Sequence, residues 1–555
     1  MEIESCKKGI LTRRHLLKTV AAGSAVALGS RWGLGQAAAP DLLIAETEYG
    51  RLRGLYIDGA AIFAGIPYGG STAGAGRFMP PAKPDSWAGI RDATMPGPRA
   101  MQSASPLGPL GNDPIMRSIN LYFTGSGPNM FETANDKMGE DCLVLNVCTP
   151  SLSGKRPVLV YLHGGGFASG DGILALSASR WVREEDIVVI GVNHRLNVFG
   201  YTYLGDLSPK YADSGNAGML DLVAALQWVR NNIAAFGGDP ANVTIFGQSG
   251  GGGKVSTLLA MPKAKGLFRR AIVESGSMLN VAAKEEATQR ARELLKSVGL
   301  TEDRVDELQN LPAEKLLAAQ RPMGMPPAGQ GLEAQPVVDG RSIPQQTWTP
   351  AAPAGAAGVA MIIGCCKDET ASFALGDQAL FDLDAAGLRD REIKAGIPAG
   401  VVDKLLALYR RDYPDDNPSD TFFRLASDRT ARWNVLNQAD RKLAGGAGSV
   451  YVYNFAWSTP VFDGKMRAFH TSELPMIFRR VEYPESEELS RQLSGAWAAF
   501  ARNGNPNHAG LPNWLPYTAS SRAAMIFDAG KTRLGIRASM EEMDILHQYP
   551  TGALL

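Results

Sequence analysis

The sequence predicts an α/β architecture: a central, mostly parallel sheet covered by helices, with helical and loop insertions. Three observations predict it. Apolar runs of strand length recur at residues 157–162, 187–192, 243–245, 271–273, 359–363 and 450–453. Helical stretches stand between them, as at 224–229, and alternating strand and helix argues a sheet buried on both faces. Two of the runs lead straight into glycine-rich turns, where such sheets carry their functional loops.

The first turn is Gly247-Gln248-Ser249-Gly250-Gly251, after the apolar run Val243-Thr244-Ile245 and before the helical stretch 255–260. Strand, Gly-x-Ser-x-Gly, helix is the layout of a nucleophile elbow. The turn is so tight that side chains at its flanks would collide. The serine is forced into a strained backbone that holds its hydroxyl clear of the sheet. The expectation is acyl transfer through a serine ester, with Ser249 as nucleophile. A phosphate loop needs Gly-x4-Gly-Lys-Ser/Thr. Here Gln248 stands at the first glycine position and Val255 at the hydroxyl position, so that reading fails and Lys254 is expected to be a packed or solvated helix residue.

The second turn, His163-Gly164-Gly165-Gly166-Phe167, follows the run 157–162. Consecutive glycines let the backbone approach a substrate and aim N–H groups at a developing oxyanion, each donor contributing about 2.7–4 kcal/mol. Gly165, Gly166 and Gly250 are the expected donors.

The 555 residues are 45% hydrophobic and 20% charged, with 56 basic and 56 acidic side chains. That balance offers no polyelectrolyte face for nucleic acid. Thr12-Arg13-Arg14-His15-Leu16-Leu17-Lys18 resembles a twin-arginine export signal, followed by a short apolar stretch and the small residues Ala37-Ala38-Ala39. Residues 1–39 are therefore expected to be a signal and 40–555 the hydrolase domain. The partner for export is the twin-arginine machinery, and the destination is a bacterial periplasm or exterior, reached already folded. Removing the signal leaves 50 basic and 54 acidic residues. No run approaches the ~18 apolar residues of a membrane helix, so no membrane anchor is expected in the mature chain. A monomer is expected. Cys142, Cys148, Cys365 and Cys366 have no zinc-site spacing, and the adjacent pair is expected to be reduced packing in a strand. Neither metal nor cofactor is expected.

Further segments carry a family resemblance: Phe63-Ala64-Gly65-Ile66-Pro67-Tyr68, Glu140-Asp141-Cys142-Leu143-Val144-Leu145-Asn146-Val147, Phe236-Gly237-Gly238-Asp239-Pro240 and Ala501-Arg502-Asn503-Gly504-Asn505-Pro506-Asn507. With the two turns, they make the chain resemble the type-B carboxylesterases, the family that includes cholinesterases, over nearly all of its mature length. The resemblance implies the α/β-hydrolase fold and a triad in the order Ser, acid, His. Gly364-Cys365-Cys366-Lys367-Asp368-Glu369 is similar to the family's acid segment, making Glu369 the acid, with Asp368 beside it as the alternative. Ala468-Phe469-His470-Thr471-Ser472-Glu473 is similar to the histidine segment, making His470 the base. His163 belongs to the oxyanion loop, His194 to a motif that is usually structural, and His508 and His547 have no matching context. Ser275 matches a position that hydrogen-bonds near the triad.

The implied activity is hydrolysis of a small-molecule carboxylic ester through an acyl-enzyme. The same site would serve a lactone, amide or carbamate, since specificity lies in pocket shape. A non-catalytic binding module is the remaining class, against which the intact triad stands. Three departures from the family pattern stand out: Gln248 replaces the commoner glutamate beside the serine, Cys142 has no upstream partner, and no tryptophan occurs between Trp87 and Cys142. The last speaks against choline esters, leaving Tyr122 and Phe123 as aromatic alternatives for a cation.

Overall fold

The computed structural model describes residues 43–103, 114–124, 137–320, 334–536 and 540–549. The expected signal, 1–39, lies outside them, as does most of the connection expected over 322–335. Fourteen strands are described: β1 (Ile44–Thr47), β2 (Gly50–Arg53), β3 (Leu55–Ile57), β4 (Ala60–Pro67), β5 (Ile90–Asp92), β6 (Val144–Thr149), β7 (Arg156–Leu162), β8 (Val188–Val192), β9 (Gly238–Gln248), β10 (Arg270–Glu274), β11 (Ala360–Cys366), β12 (Val450–Phe455), β13 (Ala524–Phe527) and β14 (Arg533–Gly535). Eleven form one sheet in the order β14-β13-β12-β11-β10-β9-β7-β8-β6-β4-β3, and β1, β2 and β5 form a small second sheet.

The centre of the large sheet, β8 through β13, is parallel, and its two edges are antiparallel. The central strands are continuous apolar runs because both faces are covered. Alternation along β7 shows how. Val158, Val160 and Leu162 enter one core with Met219, Leu222 and Leu226 of the helix Ala217–Asn232. Leu159 and Tyr161 enter the other with Leu493, Trp497 and Phe500 of the helix Glu487–Asn503. Each such side chain, fully buried, contributes roughly 1.5–3 kcal/mol.

The chain leaves β7 for β8 on one side and returns past β7 to β9 on the other. The carboxyl ends of β7 and β9 are therefore a topological switch point, where such sheets open a crevice. Both glycine-rich turns emerge there.

Two insertions differ from expectation. The region expected to be helical over 282–346 holds the helix Lys284–Val298, a 3-10 segment Glu302–Asn310 and the helix Ala313–Ala319, but from residue 334 onward it is irregular. The excursion over 70–128, expected to be loop, contains β5 and the helix Pro114–Thr124. Proline opens that helix, where its missing N–H costs nothing. Tyr122 closes it against Trp457, Phe469 and Tyr483, partners that no local pattern reveals. Tyr122 is buried and its hydroxyl donates to the Ser472 carbonyl, so its ring is not open to a cation.

Candidate active site

Ser249 lies between β9 and the helix Gly250–Leu258 with φ +58° and ψ −126°, a conformation that costs about 1–3 kcal/mol for a side-chain-bearing residue. The flanking glycines permit it. A Cβ at Gly251 would stand 1.9 Å from the Leu162 carbonyl oxygen, and one at Gly247 2.5 Å from the same atom. The collision expected from the motif is thus with the end of β7. The Ser249 N–H donates to the Glu274 carbonyl at 2.8 Å, which ties the elbow to β10.

Glu369 begins a 3-10 turn just beyond β11 and is buried. Its Oε1 accepts the Cys366 N–H at 2.7 Å, and its Oε2 bonds to Nδ1 of His470. Asp368 faces elsewhere: it accepts the Ala468 N–H at 3.2 Å and pairs with Lys367. Of the two adjacent carboxylates, Glu369 is the one on the imidazole. With Nδ1 donating to a carboxylate, Nε2 of His470 carries the lone pair. The Gln248 amide nitrogen lies 3.4 Å from it, beside Ser249. Burial disfavours the imidazolium, but the charge and hydrogen bond of Glu369 outweigh it and Glu473 adds to them, so His470 titrates above its usual range.

The loop after β7 closes over the elbow. Gly165 and Gly166 have φ of +83° and +63°, a region that favours glycine. A Cβ at Gly250 would stand 2.0 Å from the Gly166 carbonyl oxygen, so loop and helix start are in backbone contact. Beside Gly166 the direction of a Cβ is open space. Gly166 and Gly250 thus meet at the amino end of the helix Gly250–Leu258, whose dipole favours negative charge, with Gly165 next in the same loop. Among the described residues no cluster of three His, Cys, Asp or Glu side chains is placed to hold a metal ion.

A model of the carboxylesterase family matches residues 41–546. The chain belongs to the carboxylesterase family. It is similar to the para-nitrobenzyl esterase of Bacillus subtilis, 31% identical over 500 residues that cover 88% of this chain and 95% of that one. It is similar to the cocaine esterase of Homo sapiens, 32% identical over 82% of this chain and 81% of that one. Among solved structures, a Geobacillus stearothermophilus carboxylesterase at pH 6.2 superposes with a TM-score of 0.74 at 35% identity, covering 91% of this chain and 99% of that one. The fold is the α/β-hydrolase fold, and the protein is a carboxylic ester hydrolase.

This carboxylesterase also holds polar groups around the serine, acid and histidine segments: the partly buried Ser275, already singled out in the sequence, and the buried Glu473, to which sequence reasoning assigned no role. Ser275, at φ +49°, donates its N–H to the Gly364 carbonyl at 2.8 Å and its hydroxyl to Glu473 at 3.4 Å. Glu473 also accepts from the Cys366 thiol at 2.9 Å and the Tyr453 hydroxyl at 3.4 Å. Burial, then the charge of Glu369, pushes Glu473 up to about 7. A carboxylate inside an apolar histidine segment was the available signal. Lys254, left open between packed and solvated, is packed: it is wholly buried, and its Nζ donates to the His163 carbonyl at 2.7 Å. The His163 and His194 rings stack on each other at 4.9 Å. Cys142, Cys148, Cys365 and Cys366 are buried and unbridged, and no described helix is long and apolar enough to cross a membrane.

Proposed function

We propose that the protein is a serine carboxylesterase working through an acyl-enzyme on the triad Ser249, His470 and Glu369. The observation that carries the reading is the His470–Glu369 pair, whose imidazole meets Gln248, the residue next to the strained, glycine-flanked Ser249. His470 takes the Ser249 proton as the hydroxyl oxygen attacks the ester carbonyl, and Glu369 orients the imidazole and stabilises its charge. The N–H groups of Gly165, Gly166 and Gly250 receive the oxyanion. His470 returns its proton to the departing alcohol. Water, activated by the same base, then hydrolyses the acyl-enzyme to the acid and free Ser249. Ser275 acts on this machinery indirectly, through Glu473.

The substrate is a small-molecule ester; the similarity to a para-nitrobenzyl esterase supports aryl and benzyl esters as first probes. The test is hydrolysis of p-nitrophenyl esters from acetate to octanoate by the mature protein and by Ser249→Ala. Activity lost in the variant supports the reading, and activity retained by Ser249→Ala would sink it. Matched lactones, amides and carbamates tell whether the acyl-enzyme is directed at one of these instead.

The arginine pair in residues 12–18 supports export by the twin-arginine route to the periplasm or exterior, with 1–39 removed and 40–555 the working domain, as a monomer. Cell fractionation of wild type against the paired change Arg13→Lys, Arg14→Lys tests the route, and light scattering of the exported protein tests the monomer.

A further inference from the structure

A second buried group beside the elbow has no part in the mechanism above. Lys254 sits one turn into the helix Gly250–Leu258, with no exposed surface. Burying an amine is costly, and an apolar side chain of similar length would fill the space without that cost. What the amine does is therefore informative. It donates to the carbonyl of His163, the first residue beyond β7, at 2.7 Å, and it lies 5.5 Å from the centroid of the Phe167 ring. His163 and Phe167 bracket the glycine run 164–166. One amine thus touches both ends of it.

The run has no side chains of its own to hold it. Its far end is pinned elsewhere: the Asn197 N–H donates to the Phe167 carbonyl at 2.7 Å, and the Gly170 N–H to Gln102 at 2.9 Å. The other polar side chains of the elbow helix bond away from the loop, Ser256 to Gly276 and Thr257 to Gly253. Among the described residues, Lys254 is the side chain whose hydrogen bond joins the helix supplying the Gly250 N–H to the loop supplying those of Gly165 and Gly166. The neighbouring imidazoles cannot replace it. His163 and His194 each turn Nδ1 to a carbonyl, of Gly164 at 2.9 Å and Arg195 at 2.7 Å, and their Nε2 atoms are buried without a hydrogen-bond partner.

We infer that Lys254 is a positioning residue: it locks the 163–166 loop onto the elbow helix so that the N–H groups of Gly165, Gly166 and Gly250 converge on one point beside Ser249. The inference rests on the serine-esterase reading of the site. Burial pushes the amine down to about 7, and since a neutral amine also donates a hydrogen, the tether holds in either form.

The test uses the mature protein with Lys254→Met, which keeps the length and removes the donor, and Lys254→Gln, which restores a shorter one. Reactive sites are first counted with a fluorophosphonate, so that rates refer to folded enzyme only. Per reactive site, Lys254→Met should lose about tenfold to a hundredfold in kcat on p-nitrophenyl butyrate, less than the 10²–10³ of deleting one donor. KM should stay within about twofold, since the loss falls on the transition state. The inhibition constant of an aryl trifluoromethyl ketone, whose adduct carries the oxyanion, should rise by the same factor. Lys254→Gln should recover part of both. A per-site kcat and inhibition constant unchanged in Lys254→Met overturn the inference, as does a kcat loss with the inhibition constant unchanged. If neither variant folds, a crystal structure of the wild-type ketone adduct decides: Nζ bonded to the His163 carbonyl upholds it, and an amine turned away overturns it. Absence of fluorophosphonate labelling in the wild type would instead fail the serine-esterase reading itself.

Discussion

The amide nitrogen of Gln248 lies 3.4 Å from Nε2 of His470, on the edge of the imidazole opposite the Glu369 bond. His470 is therefore held between a carboxylate and a neutral amide, and the amide belongs to the residue next to Ser249. Gln248→Glu is expected to place a second negative charge on the imidazolium and raise the His470 pKa further. On the proposed mechanism the neutral imidazole is the base, so activity is lost as pH falls through that value. The acid limb of kcat/KM should move to higher pH, measured on p-nitrophenyl butyrate from pH 5 to 9; an unmoved limb would separate Gln248 from the base.

Glu369→Gln keeps the shape of the acid but removes its charge. The imidazole then loses both its tautomer and the partner for its developing charge. A fall in kcat on the order of 10⁴ is expected, with KM little changed. Asp368→Asn should do far less to kcat, because Asp368 bonds to the Ala468 N–H and not to the ring. Steady-state kinetics of the two variants, side by side, check the assignment.

Glu473 is a buried carboxyl whose folded pKa stands near 7, against about 4.3 in an unfolded chain. Between those values the folded state binds the extra proton, so stability falls as pH rises through that window. Glu473→Gln removes the titration. The decline in thermal stability from pH 5 to pH 7.5 should then be shallower, by roughly 2 kcal/mol at most. The same change takes a negative charge from near His470, so the acid limb of activity should move to lower pH.

Gly251→Ala would bring a methyl group to 1.9 Å from the Leu162 carbonyl oxygen, a backbone atom at the end of a central strand. Neither side can yield cheaply. A stability loss of about 1–3 kcal/mol or more is expected in denaturant unfolding, together with a lower kcat as the elbow is pushed from β7.

Of the five cysteines, the four among the described residues are buried, and burial pushes Cys142 and Cys148 up to about 12 and raises Cys365 and Cys366 as well. A thiol held protonated and out of solvent is inert. The native protein made as residues 40–555 should not react with a disulfide-exchange reagent, and its four thiols should react on unfolding.

Much of the centre of the fold was legible because burial on both faces leaves a continuous apolar run that needs no partner to be recognised. β7 through β12 were all foreshadowed in this way. The strands toward the two edges of the large sheet (β3, β4, β6, β13 and β14), the small sheet β1-β2-β5 and the helix Pro114–Thr124 were not. Their stability comes from what lies against them, as Tyr122 against Trp457 and Phe469. In the site, Ser249 and the glycine loop were visible because tight backbone geometry demands glycine at fixed offsets. Glu369 and His470 could be named only by resemblance, since an isolated acid or histidine has no local signature.

The sequence by itself determined the reaction class and the backbone of its two turns. Gly-x-Ser-x-Gly after a buried strand, and three glycines after another, are constraints that act within a few residues, and a linear string can state them. Only the tertiary structure decided which of two adjacent carboxylates meets the imidazole, that Gln248 faces that same ring, and that Lys254 reaches back to the His163 carbonyl. Those are relations between residues 91 to 222 positions apart, set by which strands lie side by side and which way each side chain leaves its turn.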